Sequence, residues 1–399
     1  MSLAQRLREA ELDPRLLGMG IALVAIWTVL DATTGGVFLS ARNLYNLAVQ
    51  SSVVGIMATG MVFVIVARHI DLSVGSVLGF TGMAMAVMQT EWLPADAGWN
   101  WPVSLAAGIA LGTAIGAWQG WWVAYRGVPA FVVTLAGLLM FRGGAYLLTD
   151  GRTVAPLHAT FQLIGGGLEG SIGTTWSFLL GALAILATLA SRALRRRSRR
   201  RHGFAPLPLW AEVGRCAVAV VIIAGFVMVM NAYTRPRSEV GRGVPIPVLI
   251  LIATALAMTL LSRTTRFGRY VFAMGGNPEA AALSGVDVKR VTVGVFAWMG
   301  GLAALAGAVT TARLAAGTNS MGTLAELSTI AAAVIGGTSL AGGVGSVPGA
   351  ILGAVIMQSL ENGMVLLGVS SALRQVLIGA VLIGAVWLDS AMRRRRTST

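Results

Sequence analysis

Residues 43–67 read NLYNLAVQSSVVGIMATGMVFVIVA, an uncharged run held between Arg42 and Arg68. As a helix at 1.5 Å per residue this stretch reaches about 38 Å, enough to cross a hydrocarbon core of ~30 Å. Further uncharged runs recur at 72–90, 97–125, 170–191, 216–234, 243–262 and 291–312, and another at 127–141 resumes after Arg142. The run 327–360 is too long for one straight crossing. Gly342, Gly343, Gly345 and Pro348 mark where it must break. The reading is an all-α, polytopic transmembrane helix bundle. Twelve candidate spans emerge: 16–36, 44–67, 72–89, 102–123, 130–148, 176–191, 210–231, 246–262, 291–311, 323–340, 347–367 and 372–388. Val74-Gly75-Ser76-Val77 recurs as Val344-Gly345-Ser346-Val347. Breaks of this kind are true loops or half-helices meeting inside the protein, so the expected number of crossings is ten to twelve.

Composition excludes most other classes. Of 399 residues, 56% are hydrophobic and only 12% charged, against about 25% charged in soluble domains. The net charge of +14 does not point to nucleic acid, because the basic residues sit in short loops between apolar runs. With the N-terminus in the cytoplasm, inner loops hold 21 basic residues and outer loops seven. Both termini are therefore expected inside. The domain reading is a cytoplasmic segment 1–15, a single transmembrane domain 16–390 and a basic cytoplasmic tail 391–399. Within the domain lie a basic cytoplasmic loop near 192–209 and a second long cytoplasmic loop near 263–290.

No catalytic constellation is visible. The only lysine, Lys289, is not in a Walker A loop, Cys216 is alone, and His69, His158 and His202 are scattered. No cofactor and no metal are expected, and any use of ATP requires another subunit. The informative cytoplasmic stretch is Gly275-Gly276-Asn277-Pro278-Glu279-Ala280-Ala281-Ala282-Leu283-Ser284-Gly285. Asn277 can cap a helix, Pro278 suits its first position, Glu279 favours its positive end and Gly285 can stop it. So short a helix is marginal alone in water and is expected to pack against something. It is either an ordinary surface helix or a docking knob, and Ala281→Arg is the substitution expected to report docking. In Ile70-Asp71-Leu72-Ser73-Val74-Gly75-Ser76, an acid beside an apolar wall is costly unless paired or hydrated. Asp71 either caps the helix starting at Leu72 or faces a transport path with Ser73. Gln50, Gln119, Gln358 and Asn362 are polar residues in or near spans, serving helix packing or the path. Trp118, Trp121 and Trp122 fit an interfacial aromatic belt better than a sugar-stacking platform.

The blocks IDLSVGS (70–76), WQGWWVAYR (118–126), VPAFVVTLAG (128–137), GGNPEAAALSG (275–285) and IGGTSLAGGVGSVPG (335–349) resemble the permeases of bacterial ABC importers for monosaccharides. Within that group of ribose, galactose and xylose systems the chain is most similar to the xylose permeases, from the Trp-rich block and the hydrophobic pair around 176–231. The resemblance covers nearly all of the chain. It implies a multi-pass protein of the bacterial inner (cytoplasmic) membrane, without enzymatic activity of its own, working as two permease copies in a homodimer. A cytoplasmic sugar ABC ATPase would power it and a periplasmic sugar-binding protein would deliver a pentose, D-xylose. Gly276 to Gly285 would be the segment coupled to the ATPase. One departure is Ala67-Arg68-His69, where relatives carry a small or acidic residue; its charge is expected to pair with Asp71. The alternatives are an ion-coupled secondary sugar transporter, with Asp71 at its ion site, and an ABC permease for another monosaccharide such as ribose.

The charge distribution makes a direct prediction about orientation. In a Cys216→Ser background, single cysteines within 195–202, 276–289 and 393–399 should resist a membrane-impermeant thiol reagent in intact cells and react once the cells are opened. Labelling of a cysteine at position 282 in intact cells would contradict the assignment.

Overall fold

A computed structural model describes residues 14–94, 97–167, 169–204, 207–235 and 239–397. Most of the expected segment 1–15 lies outside the described residues. The helices are α1 (Pro14–Thr33), α2 (Ala41–Val66), α3 (Val74–Val87), α4 (Asn100–Arg126), α5 (Ala130–Leu147), α6 (Ala159–Leu163), α7 (Gly173–Arg201) and α8 (Leu209–Ala232). They continue as α9 (Ile246–Thr264), α10 (Arg266–Gly276), α11 (Pro278–Leu283), α12 (Val288–Leu314), α13 (Ala325–Ile335), α14 (Val347–Leu366) and α15 (Ser371–Thr397). Among the described residues, β structure is confined to isolated bridges.

Burial sorts these helices into an inner and an outer set. The run that opens the sequence reading forms α2, buried along nearly its whole length against α9, α12, α13 and α14. By contrast α7 and α8 pack on each other and present Leu183, Leu186, Val221 and Ile222 outward. In a bilayer such faces carry no penalty, since lipid tails are as apolar as leucine. Packing inside lipid must then come from close contact, and the pairing of α4 with α12 is the most extensive in the molecule. Gly112, Gly116 and Gly120 form one small-residue stripe along α4. A Cβ at Gly112 would stand 2.5 Å from the Gly300 carbonyl oxygen, and one at Gly120 would stand 2.8 Å from Val293 Cα. One at Gly116 would run into the Phe296 carbonyl. The two backbones touch because nothing stands between them.

All twelve sequence spans fall on helices. Among the described residues, nine helices are long and apolar enough to cross a membrane: α1, α2, α4, α5, α7, α8, α9, α12 and α14. The other three coincide with α3, which continues unbroken as a π-helical stretch Met88–Trp92, and with two shorter apolar segments, α13 and the portion 371–387 of α15. At 1.5 Å per residue, α13 covers about 16 Å, half a hydrocarbon core. The run 327–360 breaks where expected: α13 ends at Ile335, α14 starts at Val347, and Gly337, Gly342 and Gly343 between them have positive φ. The recurring Val-Gly-Ser-Val does not mark equivalent places. Its first copy begins α3 at Val74, whereas in the second only the last residue, Val347, begins a helix. The basic stretch 192–209 is largely helical, since α7 runs on to Arg201 and Arg196 pairs there with Glu212 of α8.

The α4–α12 contact predicts a contrast between glycines. Gly116→Val has no room for its side chain and should lower the thermal midpoint in detergent, by an overpacking cost of about 1–3 kcal/mol or more. Gly225→Ala, on α8 with nothing near its Cβ position, should leave the midpoint unchanged or raise it.

Candidate functional site

The segment joining α2 to α3 holds the first candidate residues. The α2 helix ends with the His69 amide donating to the Val64 carbonyl and the Arg68 amide to the Ile65 carbonyl, 3.0 and 2.9 Å. This double closure places Arg68 in the left-handed region, φ 65°, where glycine is the usual occupant. A non-glycine residue there costs roughly 1–2 kcal/mol. The guanidinium reaches away from Asp71. Its Nε donates to the Gly275 carbonyl at 2.7 Å and its Nη2 to the Gly276 carbonyl at 2.6 Å. The pairing of Arg68 with Asp71 expected from their proximity in sequence is thus not made, because the left-handed turn aims the side chain at the end of α10.

Asp71 is 2% exposed. Its Oδ1 accepts from the Ser73 amide at 2.8 Å and the Ser73 hydroxyl at 2.7 Å. Gln119 Nε2 of α4 donates to that hydroxyl at 2.9 Å, and Thr134 Oγ1 of α5 reaches the Ile70 carbonyl at 3.3 Å. Asp71, Ser73 and Gln119 therefore form one hydrogen-bonded chain. The helix begins two residues later than expected, at Val74, because Asp71 ties back the Ser73 amide instead of capping Leu72.

Beside this chain the first turns of the two short helices α3 and α13 meet. A Cβ at Gly75 would strike both the Glu326 carboxylate and the Gly322 carbonyl, and one at Gly322 would strike the Gly75 carbonyl. Glu326 is 5% exposed, and its Oε2 has no hydrogen-bond partner. Arg142 of α5 lies near enough to attract Glu326 electrostatically. Its Nη1 donates to the carbonyls of Met321 at 2.7 Å and Asn319 at 3.2 Å. Neither Glu326 nor Arg142 was singled out by the sequence reading. The available signal was a lone charge within an apolar run, which a span count absorbs without comment.

Gln358 and Asn362 lie elsewhere, on α14. Gln358 Nε2 donates to Glu361 Oε2 at 2.9 Å, and Ser328 Oγ of α13 to Glu361 Oε1 at 2.5 Å. Asn362 Oδ1 accepts from Asn43 Nδ2 of α2 at 2.9 Å. Trp27 of α1 donates to Ser359 at 2.8 Å. Five of the six polar candidates therefore separate into two clusters, Asp71, Ser73 and Gln119 in one, Gln358 and Asn362 in the other, both tied to neighbouring helices, while Gln50 lies half-buried on α2.

The stretch 263–290 folds as α10 and α11. Asn277 Oδ1 accepts from the Ala280 amide at 3.1 Å, Pro278 and Glu279 open α11, and Gly285 has φ 85° just past its end. The Val286 amide closes back on the Ala281 carbonyl at 3.0 Å. Asn277 and Gly285 thus have the bond and the dihedral that their capping roles call for, and Pro278 and Glu279 occupy the first turn. The helix faces differ from the expectation in one respect. Ala281 is 5% exposed and part of the main apolar core, whereas Leu283 is 91% exposed. An arginine at 281 would disturb internal packing, so the outward probe of this helix is Leu283.

Comparison with known proteins places this architecture. Residues 43–386 match the family described as branched-chain amino acid transport system / permease component. The chain is 44% identical over 384 residues to the xylose transport system permease protein of Escherichia coli (strain K12), covering 96% of this chain and 94% of that protein. It is 44% identical over 377 residues to the corresponding protein of Haemophilus influenzae, covering 94% and 96%. The ribose import permease protein of Escherichia coli (strain K12) is 34% identical over 371 residues, covering 93% and 91%. No solved structure matches the chain. With a family match across most of its length and likeness at this level to permeases along nearly the whole chain, this helix bundle belongs to the family of membrane permease components of transport systems.

Proposed function

We propose that the chain is the translocation subunit of an ATP-driven pentose importer of the bacterial inner membrane, with D-xylose as its substrate. The observation that carries this reading is the 44% identity, end to end, with xylose transport system permeases. The family description names amino acids and the relatives name sugars, so the substrate rests on the relatives alone. The more distant likeness to a ribose permease makes ribose the sugar to compare.

In this reading two copies of the chain form a pathway that opens alternately to each side, and the sugar is not chemically changed. A cytoplasmic ATPase supplies the energy and a periplasmic sugar-binding protein supplies the sugar. Residues Gly276 to Gly285 receive the ATPase: α11 is short, self-capped and held by helices at both ends, with Leu283 projecting outward. Asp71, Ser73 and Gln119 act in gating rather than as a sugar platform. Their hydrogen bonds are to one another and set the start of α3. Gln358 and Asn362 hold the α14 side of the path in register with α2 and α13.

Reconstitution tests this directly. Proteoliposomes holding the permease and its ATPase, supplied with the binding protein, should take up radiolabelled xylose only with ATP inside the ATPase compartment, and ribose more slowly. Uptake by the purified chain alone under an ion gradient would instead establish the secondary-transporter alternative. Leu283→Arg changes helix propensity by only a few tenths of a kcal/mol, so the variant should fold and insert normally. It should lose ATPase assembly or sugar-stimulated hydrolysis, because a bulky charge is then forced against the docked partner. Wild-type assembly and stimulation in Leu283→Arg would show that the ATPase docks elsewhere.

A further inference from the structure

Three segments that are distant in sequence cross at one point below α2. They are the turn 67–69 leaving α2, the glycine pair 275–276 ending α10, and the glycine pair 342–343 between α13 and α14. The Gly343 amide donates to the Val66 carbonyl at 3.0 Å. A Cβ on Gly275 would collide with that same carbonyl, and one on Gly343 would stand 3.1 Å from Gly276 Cα. A Cβ on Gly342 would strike the Arg68 side chain. Glycine at these positions lets the three backbones come together, and Arg68 lays its long side chain across the crossing. Its guanidinium closes the last two carbonyls of α10, one residue before the cap Asn277.

The choice of residue at 68 is informative. The double closure of α2 calls for a left-handed residue, and glycine meets that need without strain. Arginine occupies the position instead, at φ 65°, so its side chain offsets a backbone cost that a merely structural helix end would avoid. An observed outlier of this kind argues toward function. The route onward is short. His69 packs its ring 5.6 Å from Phe296 of α12, Ile70 accepts from Thr134 of α5, and Asp71 anchors the start of α3 through Ser73. Each residue after Arg68 is thus bound to a different helix.

We infer that Arg68 is a positioning residue that locks the base of α11 to the 69–73 segment, so that displacement of α11 is passed to α3 and to the buried Asp71–Ser73–Gln119 chain. This rests on the reading of α11 as the ATPase-receiving helix. Arg68 touches neither sugar nor nucleotide in this scheme. It fixes how far α11 moves independently of the turn leaving α2.

The test uses the full chain, alone and with its ATPase and binding protein. Arg68→Gly removes the guanidinium and at the same time relieves the left-handed strain. It should therefore keep or raise the thermal midpoint, which a residue needed only for stability would not do. Amide hydrogen exchange over residues 276–285 should become faster in the isolated Arg68→Gly protein. In the assembled system ATP hydrolysis should persist while sugar uptake falls by roughly tenfold, within the usual range of coupling between linked sites, so that more ATP is consumed per sugar. Arg68→Lys, which keeps a cation of similar reach, should restore part of the coupling, and Arg68→Ala should not. Unchanged exchange at 276–285 in Arg68→Gly, or a wild-type ratio of ATP hydrolysed to sugar transported, would overturn the inference. Failure of the unaltered chain to transport with ATP would sink the importer reading, and the exchange measurement would still decide whether Arg68 holds α11.

Discussion

A bilayer offers no water to an unpaired backbone amide or carbonyl, so every interruption of a helix at membrane depth must be satisfied by the protein itself. This chain interrupts its inner helices at 67–73, 315–324 and 336–346, and part of its buried polar chemistry answers that requirement. Asp71 takes the Ser73 amide, Thr134 reaches the Ile70 carbonyl, and Arg142 holds the carbonyls of Asn319 and Met321. The third interruption pairs within itself, Ser339 amide to Val344 carbonyl, and with the end of α2 through Gly343. Remove these partners and the breaks become intolerable; extend the helices through them and the two short helices α3 and α13 no longer meet.

The breaks also need room. Where helices carry side chains at their contacts, backbones lie 8–10 Å apart; here α4 and α12 approach through glycine on both sides, as do the first turn of α3 and the turn before α13. Glycine therefore appears where backbone must touch backbone, while the large apolar residues of α7 and α8 face outward. A soluble protein could not leave such faces open. In a membrane the economy is reversed: apolar exposure is free and close packing supplies the cohesion.

The junction below α2 unites both themes. Glycines 275, 276, 342 and 343 bring three segments together, and Arg68 supplies the hydrogen bonds that end α10. From there the chain passes in three residues from an exposed turn to a carboxylate that is almost wholly buried. The path from α11 to this buried polar cluster is made of hydrogen bonds, a ring contact and a helix start.

The sequence alone determined the class of the protein and its family, because hydropathy over twenty-residue windows and local capping are properties of neighbouring residues. Asn277, Pro278, Glu279 and Gly285 do in space what their order implies, since a cap and its amide are three residues apart. The break in 327–360 was legible for the same reason: glycine and proline act on their own backbone. Tertiary structure alone decided which polar residues meet. That Gln119 joins Ser73 while Asn362 joins Asn43, that Glu326 lies over Gly75, and that Ala281 points inward depends on which helices are neighbours. Arg68 is the clearest case. Its nearest acid in sequence is Asp71, yet one left-handed turn sends the side chain to carbonyls more than two hundred residues away, and no local pattern encodes where those carbonyls will be.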